Sequence, residues 1–324
     1  MTAAQLAGQH GKPVADPFPF SSLLPAVVYA NLAAGGGRAR SFIRRIRKVF
    51  EAASVPAEFI SVGSVAELES SVLLAIRGGN RLLVALGGDG TFQALVNAAY
   101  GADVVLGVLP AGGGNDFAAG LKLPQDAIAA AEAMLQGQPR TVDLARARTA
   151  DGRVRLYLGG GGVGIDAEAV RYANGAFHRL PGRFRYVASA LRALCGYNSI
   201  CVRAEFPGSD LPPIEAKVLL AAVLNTPTYG AGIRLAPDAR LDDGRLDVVI
   251  IEDLNILQII AMLPRLLKSG ELRTPHIRRF PVQSARLSTD KPCLFHGDGE
   301  ILGPAPVEIE VVPDAVRILA PSPR

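Results

Sequence analysis

A glycine-rich loop at 87–91 carries the first residues whose types and spacing could do chemistry. It follows an apolar run at 82–86 and precedes a predicted helix at 91–99; its sequence is Gly87-Gly88-Asp89-Gly90-Thr91. Glycines let a backbone approach a ligand closely, and a helix N-terminus offers unpaired N–H groups with partial positive charge. The loop therefore predicts a phosphate site. Asp89 cannot attract phosphate, which leaves three roles open: binding a nucleotide hydroxyl, orienting the loop or holding Mg²⁺. A plain strand–turn–helix corner with Asp and Thr as caps is the alternative.

A second loop of the same kind follows the apolar run 104–109. It reads Pro110-Ala111-Gly112-Gly113-Gly114-Asn115-Asp116-Phe117. In an open parallel sheet, ligands bind beyond the carboxyl ends of the strands, so both loops are expected to face one ligand. The turn at 31–37, which also follows a strand, could form a third side of the same ligand site. The candidate nucleotide-binding residues are Asn31, Gly35, Gly87, Gly88, Asp89, Gly90, Thr91, Gly112, Gly113, Gly114 and Asn115.

The elements that position these loops follow from the apolar periodicity. Up to about residue 140, strands alternate with helices, which predicts a Rossmann-like parallel sheet with helices on both faces. The strands are expected at 25–29, 58–62, 81–86 and 104–109, and the helices at 41–53, 65–77, 91–99 and 127–135.

The pattern changes after residue 140, where most strands are joined by Gly, Pro and Asp turns. This predicts a second, antiparallel β-sandwich domain. Its strands are expected at 154–158, 199–206, 214–224, 246–251, 284–289 and 307–312, with helices at 185–194 and 254–268. The predicted organisation is a disordered extension at 1–24, an α/β domain at 25–148, a β-rich domain at 149–310, and a segment at 311–324 that returns to the first domain.

Composition indicates the cellular compartment but does not identify a binding partner. The net charge of +4 and pI near 9.1 allow an anionic partner. The three cysteines form neither a zinc-like pair nor an even disulfide framework, which favours a reducing compartment. Residues 1–24 lack the apolar core of a signal peptide, and no apolar run approaches the ~20 residues that span a bilayer. A cytoplasmic protein is expected, and if it acts on a membrane substrate it must do so from the membrane surface.

The two loops together resemble the catalytic domain of the diacylglycerol kinase and sphingosine kinase superfamily, and most of all the soluble bacterial lipid kinases. Further markers of that family occur in its order along residues 25–320: Gly164-Ile165-Asp166-Ala167, the run from Ala236 to Asp247, and Asp298-Gly299-Glu300. The chain departs from the family pattern at four positions. It has Gly113 for Thr or Ser, Gly159 for a frequent Asn, Ala94 for a frequent Glu, and Leu32 for Pro. The glycine at 113 removes one hydroxyl that could contact the nucleotide.

The resemblance implies ATP- and Mg²⁺-dependent transfer of the γ-phosphoryl group to a lipid hydroxyl, on a diacylglycerol-like or sphingoid acceptor. It makes 25–148 the nucleotide-binding domain and 149–310 the lipid-substrate domain. It assigns Glu300 as the base, although the Asp-Gly-Glu segment alone reads as a plain turn. It gives Asp89 and Asp116 the task of organising nucleotide and Mg²⁺. It also implies a structural metal held by Asp243 and the backbone carbonyls of Arg240 and Arg245, where a solvated hairpin turn is the alternative.

Two segments are candidates for membrane contact. No acidic residue lies between Glu168 and Glu205, where six arginines alternate with apolar residues, and a second basic region runs from Arg265 to Arg286. Such segments could lie on an anionic membrane, or they could be ordinary solvated faces. The expected partners are ATP and a lipid substrate at a membrane surface; a homodimer is left open. His296 is interpreted as a satisfied structural histidine.

Other functions remain as alternatives. NAD kinases share the Gly-Gly-Asp-Gly loop but continue with an Asn-Glu pair where this chain has Asn115-Asp116. A non-catalytic lipid- or nucleotide-binding relative is favoured by Gly113 and Ala94, and opposed by Asp89, Asp116 and Glu300. Nucleic-acid binding is not expected, because 6% aromatic residues and no Trp provide few stacking platforms.

Overall fold

A computed structural model of the protein describes residues 23, 25–32, 34, 38–177, 188–189, 192–194, 197, 199–230, 232–254, 258 and 274–321. The chain forms two compact units, Met1–Val142 with Asp314–Arg324, and Asp143–Pro313. Several predictions fall wholly or partly outside the described residues. These are the extension at 1–24, Gly35, the helices at 185–194 and 254–268, and the basic segments around them.

The first unit alternates strands and helices as predicted, with boundaries shifted by up to three residues. Its strands are β1 (Ala26–Asn31), β2 (Ala57–Val62), β3 (Leu82–Gly87) and β4 (Val105–Pro110). Its helices are α1 (Arg38–Ala52), α2 (Val65–Arg77), α3 (Asp89–Ala99), α4 (Asp116–Gly120) and α5 (Ala127–Leu135). The five-residue helix α4 was not predicted, because its start depends on a side chain from a distant loop.

The sheet of the first unit is parallel. Its order is β4-β3-β1-β2, and residues Arg317 and Ile318 of β15 (Val307–Ala320) pair with the free edge of β4. Strands β3 and β4 are buried along their whole length, as continuous apolar runs in parallel sheets are. Helix α1 packs on α5, and α2 packs on α3. Right-handed crossovers place these two pairs on opposite faces of the sheet, which is the doubly wound arrangement.

The second unit is antiparallel. Its strands are β5 (Gln138–Thr149), β6 (Val154–Tyr157), β7 (Gly160–Gly164), β8 (Ile200–Glu205), β9 (Ile214–Leu224), β10 (Leu246–Glu252), β11 (Ile277–Val282), β12 (Ser284–Thr289), β13 (Leu294–Gly297), β14 (Glu300–Pro304) and the first part of β15. One helix, α6 (Ile165–Asn174), follows β7. The chain passes from one unit to the other within β5 and within β15, so neither passage is a loop.

Strand β9 organises the core of the second unit. It pairs with β7, β8 and β10. Its residues alternate between two apolar clusters: Ala221 and Val223 lie in one, and Leu220, Ala222 and Leu224 in the other. Apolar packing therefore covers both faces of this strand. Among the helices in the described part of the chain, none combines the length and apolar character that crossing a bilayer requires.

Candidate active site

The two glycine-rich loops of the first unit lie in direct backbone contact. Gly87 and Pro110 pair at the ends of β3 and β4, and the Ala111 N–H donates to the Gly87 carbonyl at 2.8 Å. A Cβ built on Gly112 would stand 2.6 Å from the Gly88 Cα, closer than side chains ever approach. Only glycine at 112 allows the loops to meet in this way.

The Asp89 carboxylate joins the first loop to the second. It accepts backbone N–H bonds from Asn115 at 2.8 Å, and from Asp116 and Phe117 at 3.3 Å each. These donors surround the start of α4, where N–H groups lack partners within the helix and a negative charge is favoured. Three roles were left open for Asp89. The structure shows one of them: its carboxylate orients the neighbouring loop through these hydrogen bonds.

Asn115 fixes the conformation of the second loop. Its backbone is left-handed, with φ 58°, a region that asparagine tolerates better than most residues. Its side-chain Oδ1 accepts the Gly112 N–H at 3.0 Å, and its Nδ2 donates to the Gly112 carbonyl at 3.2 Å. The side chain is buried. Asn115 thus shapes the loop through its amide.

The remaining loop residues lie around this core. Asn31, at the end of β1, donates from Nδ2 to the Thr91 Oγ1 at 3.1 Å. Gly90 lies in the first turn of α3 and Gly113 within the second loop. The carboxylates of Asp89 and Asp116 both come within 3.5 Å of a Cβ built on Gly114. Two acidic side chains therefore lie beside the glycine loops.

In the second unit, Asp298 and Gly299 form a two-residue hairpin turn between β13 and β14. Their φ angles are 50° and 84°, the left-handed pair that a type I′ turn requires. The Asp298 carboxylate accepts N–H bonds from Leu158 at 2.7 Å, Gly159 at 2.8 Å and Gly160 at 3.2 Å. Burial raises its pKa to about 6, although the three N–H bonds favour the charged form.

Glu300 is the first residue of β14 and is exposed. Its partner across the turn is Gly297. Because Asp298 fastens the turn to 158–160, the backbone that carries Glu300 is fixed in place. Asp298, the acidic residue nearest to Glu300 in the sequence, is thus already hydrogen-bonded to backbone N–H groups.

A polar cluster that sequence reasoning did not find lies nearby in the same unit. It consists of Asp166 at the start of α6, Tyr229 and His296. The Tyr229 hydroxyl donates to the Asp166 carboxylate and lies 2.7 Å from His296 Nε2, which is 2.9 Å from Asp166 Oδ2. His296 Nδ1 is buried and has no hydrogen-bond partner in the described part of the chain. The interpretation of His296 as satisfied is therefore only half right.

The glycine run of β7 makes room for this cluster. A Cβ on Gly162 would stand 2.4 Å from Asp166 Oδ2, and one on Gly161 would stand 2.4 Å from the His296 carbonyl oxygen. The run of glycines from 159 to 162 was the available signal, since a strand interior rarely accumulates glycine without a close approach.

The predicted metal loop at 240–245 is a turn. Gly244 has φ 68° and donates its N–H to the buried Asp143 carboxylate at 2.7 Å, and the Asp243 Oδ1 accepts the Arg245 N–H at 3.1 Å. No group of three or more His, Cys, Asp or Glu side chains among the described residues is arranged to hold a metal. Any cation here would thus depend on backbone carbonyls. Burial, together with the charges of Asp243 and Asp238, raises the pKa of the nearby Asp247 carboxyl to about 6.

Comparison with known proteins gives the same division of the chain into two kinds of domain. Residues 25–147 match the diacylglycerol kinase catalytic domain, and residues 161–320 match the YegS C-terminal NAD kinase beta sandwich-like domain. A diacylglycerol kinase of Mycobacterium tuberculosis (strain H37Rv) is 30% identical over 253 residues, which cover 76% of this chain and 79% of that protein. A diacylglycerol kinase of Bacillus subtilis (strain 168) is 26% identical over 243 residues, covering 74% and 78%.

Solved structures show the same fold. The crystal structure of a diacylglycerol kinase from Bacillus anthracis str. Sterne matches with a TM-score of 0.69 at 19% identity, covering 92% of this chain and 97% of that one. The predictions of the family, of the α/β plus β-sandwich fold class and of a lipid kinase enzyme are confirmed. The chain belongs to the diacylglycerol kinase family.

Proposed function

We propose that this member of the diacylglycerol kinase family transfers the γ-phosphoryl group of ATP to the hydroxyl of a diacylglycerol-like or sphingoid lipid. The observation that carries the proposal is the Asp89 carboxylate, which fastens two glycine-rich loops into one backbone surface at the carboxyl ends of β3 and β4. Such an edge of an open parallel sheet is where phosphates and nucleotides bind.

For nucleotide binding, we assign the backbone of the two loops together with Asn31 and Thr91. The missing Cβ atoms at Gly88 and Gly112 let the two loops touch, so backbone groups of both loops lie together at this edge of the sheet. Asp89 is engaged by three N–H donors, so we give it a positioning role and assign Asp116 to hold the metal. Mg²⁺ bound with ATP would neutralise charge on the phosphates.

For the acceptor, we propose Glu300 as the general base. Its carboxylate takes the proton of the lipid hydroxyl as that oxygen bonds to the γ-phosphorus and the bond from phosphorus to ADP breaks. Asp298 holds the turn that carries Glu300. The proposed acceptor is a lipid, so we propose that the protein meets it at a membrane surface. A structural metal at Asp243 and the carbonyls of Arg240 and Arg245 remains part of the proposal.

The experiment combines γ-labelled ATP, Mg²⁺ and a panel of acceptors: diacylglycerol, sphingosine, ceramide, phosphatidylglycerol, polyprenol and NAD. We expect label in one of the lipids. Label only in NADP would overturn the lipid assignment, and ATP binding without any transfer would indicate a non-catalytic relative.

The role of Glu300 is tested by Glu300→Gln, with Glu308→Gln as the matched control, since Glu308 is also an exposed glutamate at a strand position. We expect Glu300→Gln to lower kcat by about 10²-fold or more with little change in ATP affinity. Glu308→Gln should behave as the wild type. Full turnover in Glu300→Gln would remove it as the base.

A further inference from the structure

The hairpin that carries Glu300 lies at the end of the strand order β14-β13-β7-β9 in the second unit. Two residue pairs join β13 to β7, its neighbour on the side away from β14. The register between β13 and β14 shifts between Phe295 and His296, so the pairing within the hairpin is itself irregular. Two-stranded hairpins are marginally stable by themselves, and this one therefore depends on further attachments.

Polar side chains attach the hairpin to the rest of the unit at positions 296 and 298. The Asp298 carboxylate accepts three N–H bonds from residues 158–160. The His296 ring contacts a different part of the unit, since its Nε2 lies 2.9 Å from Asp166 Oδ2 and 2.7 Å from the Tyr229 hydroxyl. Asp166 belongs to the first turn of α6. His296 thus links the hairpin to a helix.

The His296 cluster, defined as Asp166, Tyr229 and His296, holds the imidazole ring in one place. The side chain of His296 is 5% exposed and that of Asp166 is 11% exposed. The Asp166 Oδ1 accepts the Ala167 N–H at 2.7 Å, while Oδ2 is shared by the other two members of the cluster. The rings of Tyr229 and His296 are stacked, with their centroids 6.0 Å apart. Both carboxylate oxygens are engaged, which makes the cluster a rigid anchor.

Two observations connect this anchor with function. His296 Nδ1 is buried and has no hydrogen-bond partner among the residues that the structure describes, although Nε2 has two. A buried polar atom without a partner costs stability, so stability alone does not account for a histidine here. The second observation concerns Asp298: burial raises its pKa to about 6, while its N–H bonds and a positive charge on His296 lower it. His296 therefore favours the charged form of Asp298, which accepts the three N–H bonds.

We propose that His296 is a positioning residue for Glu300, because the His296 cluster anchors the β13–β14 hairpin to α6. The inference rests on the proposed function, in which Glu300 takes the proton of the lipid hydroxyl. Glu300 pairs with Gly297, the residue next to His296, so a loosened hairpin would displace the backbone of Glu300 directly. A misplacement of a reacting group by about 1 Å can lower a rate by about 10²-fold.

The test in activity is a double-mutant cycle of His296→Leu and Glu300→Gln, followed by transfer of label from ATP to lipid. In the wild-type background, His296→Leu should lower kcat by about 10- to 100-fold and leave the KM for ATP unchanged. In the Glu300→Gln background, it should lower the remaining kcat by less than about twofold, because the cluster acts through Glu300. An equal loss in both backgrounds would indicate a general structural effect and overturn the positioning role.

Two further variants make the comparison specific. His296→Gln keeps an N–H group that can donate to Asp166, so it should recover most of the kcat that His296→Leu loses. The matched control is His276→Leu, which replaces a histidine of the same unit whose side chain is 42% exposed, next to β11. It should have the wild-type kcat. A loss in His296→Gln as large as in His296→Leu would contradict an anchor made through this hydrogen bond.

Hydrogen exchange separates the anchor from the proposed kinase activity. The amides of 294–304 should exchange about tenfold faster in His296→Leu than in the wild type, and at the wild-type rate in His276→Leu, well below the unfolding temperature of each protein. Unchanged exchange in His296→Leu, in a protein whose wild type phosphorylates a lipid, would overturn the anchor and leave the kinase proposal standing. Faster exchange, in a protein whose wild type phosphorylates no lipid, would keep the anchor and overturn the kinase proposal.

Discussion

Replacing Gly112 by alanine tests the contact between the two loops directly. The added Cβ would lie 2.6 Å from the Gly88 Cα and 2.7 Å from the Asn115 Oδ1, whereas ordinary contacts begin at 3.4 Å. One neighbour is backbone and the other is held by hydrogen bonds to Gly112 itself, so neither can rotate away. The loops would have to separate by about 0.8 Å. Overpacking of this kind costs about 1–3 kcal/mol of stability, and a misplacement near 1 Å can cost about 10²-fold in rate.

The assay is phosphoryl transfer from labelled ATP, with kcat and the KM for ATP determined separately, together with thermal unfolding. Two glycines provide graded controls. At Gly88 the added Cβ would lie 3.2 Å from the Gly112 Cα, so Gly88→Ala should have a smaller effect. At Gly63, before α2, the nearest atom is the Glu67 Oε2 at 3.5 Å, so Gly63→Ala should be nearly neutral.

We expect Gly112→Ala to raise the KM for ATP and lower kcat the most. Gly88→Ala should have a smaller effect on both, and Gly63→Ala the smallest. If Gly112→Ala kept the wild-type KM and kcat while its unfolding temperature fell, the loop contact would be structural only. If neither activity nor stability changed, the reasoning from the close approach would be refuted.

Three further substitutions test the carboxylates and the buried cluster. Asp89→Asn turns an acceptor of three N–H bonds partly into a donor. We therefore expect it to lower the unfolding free energy by about 1–3 kcal/mol and to raise the KM for ATP at least tenfold. The control is Asp126→Asn at the N-cap of α5, which should be neutral because asparagine caps a helix equally well. The pKa of Asp298, raised from 3.8 to about 6, means that the folded state keeps this proton longer than the unfolded state. Stability from this group is therefore present below about pH 4 and lost as the pH rises through 6. Asp298→Asn should remove about 3 kcal/mol of that decline in denaturant titrations, and an unchanged slope of unfolding free energy against pH would contradict the assignment. Tyr229→Phe removes the hydroxyl shared by a buried aspartate and a histidine and should lower unfolding free energy by about 1–3 kcal/mol, whereas Tyr172→Phe should change it by less than about 0.5 kcal/mol.

The sequence predicted the elements that local periodicity specifies. Strands β1, β3 and β4 are continuous apolar runs bounded by turn residues, and α2 and α5 have the predicted bounds. The two loops were predicted to share one edge because parallel strands place their carboxyl ends together. The contact between Gly88 and Gly112 confirms that geometry at atomic detail, although the ligand that the loops bind is still a proposal.

What the sequence could not predict depends on contacts between distant residues. Helix α4 needs the Asp89 carboxylate from a loop 26 residues earlier. The cluster of Asp166, Tyr229 and His296 spans 130 residues, and only strand pairing brings it together. Strand β5 was not predicted, because its charged and apolar residues do not alternate regularly. No local pattern reports such long-range partners.

Transfer of label from γ-labelled ATP into a detergent-dispersed diacylglycerol, with Mg²⁺ present, tests the central claim most directly. The proposed function predicts a labelled lipid in the organic phase, formed by the wild type and reduced by about 10²-fold or more in Glu300→Gln. Label that stays entirely in the aqueous phase across the whole acceptor panel, from a folded protein that binds ATP, would contradict it.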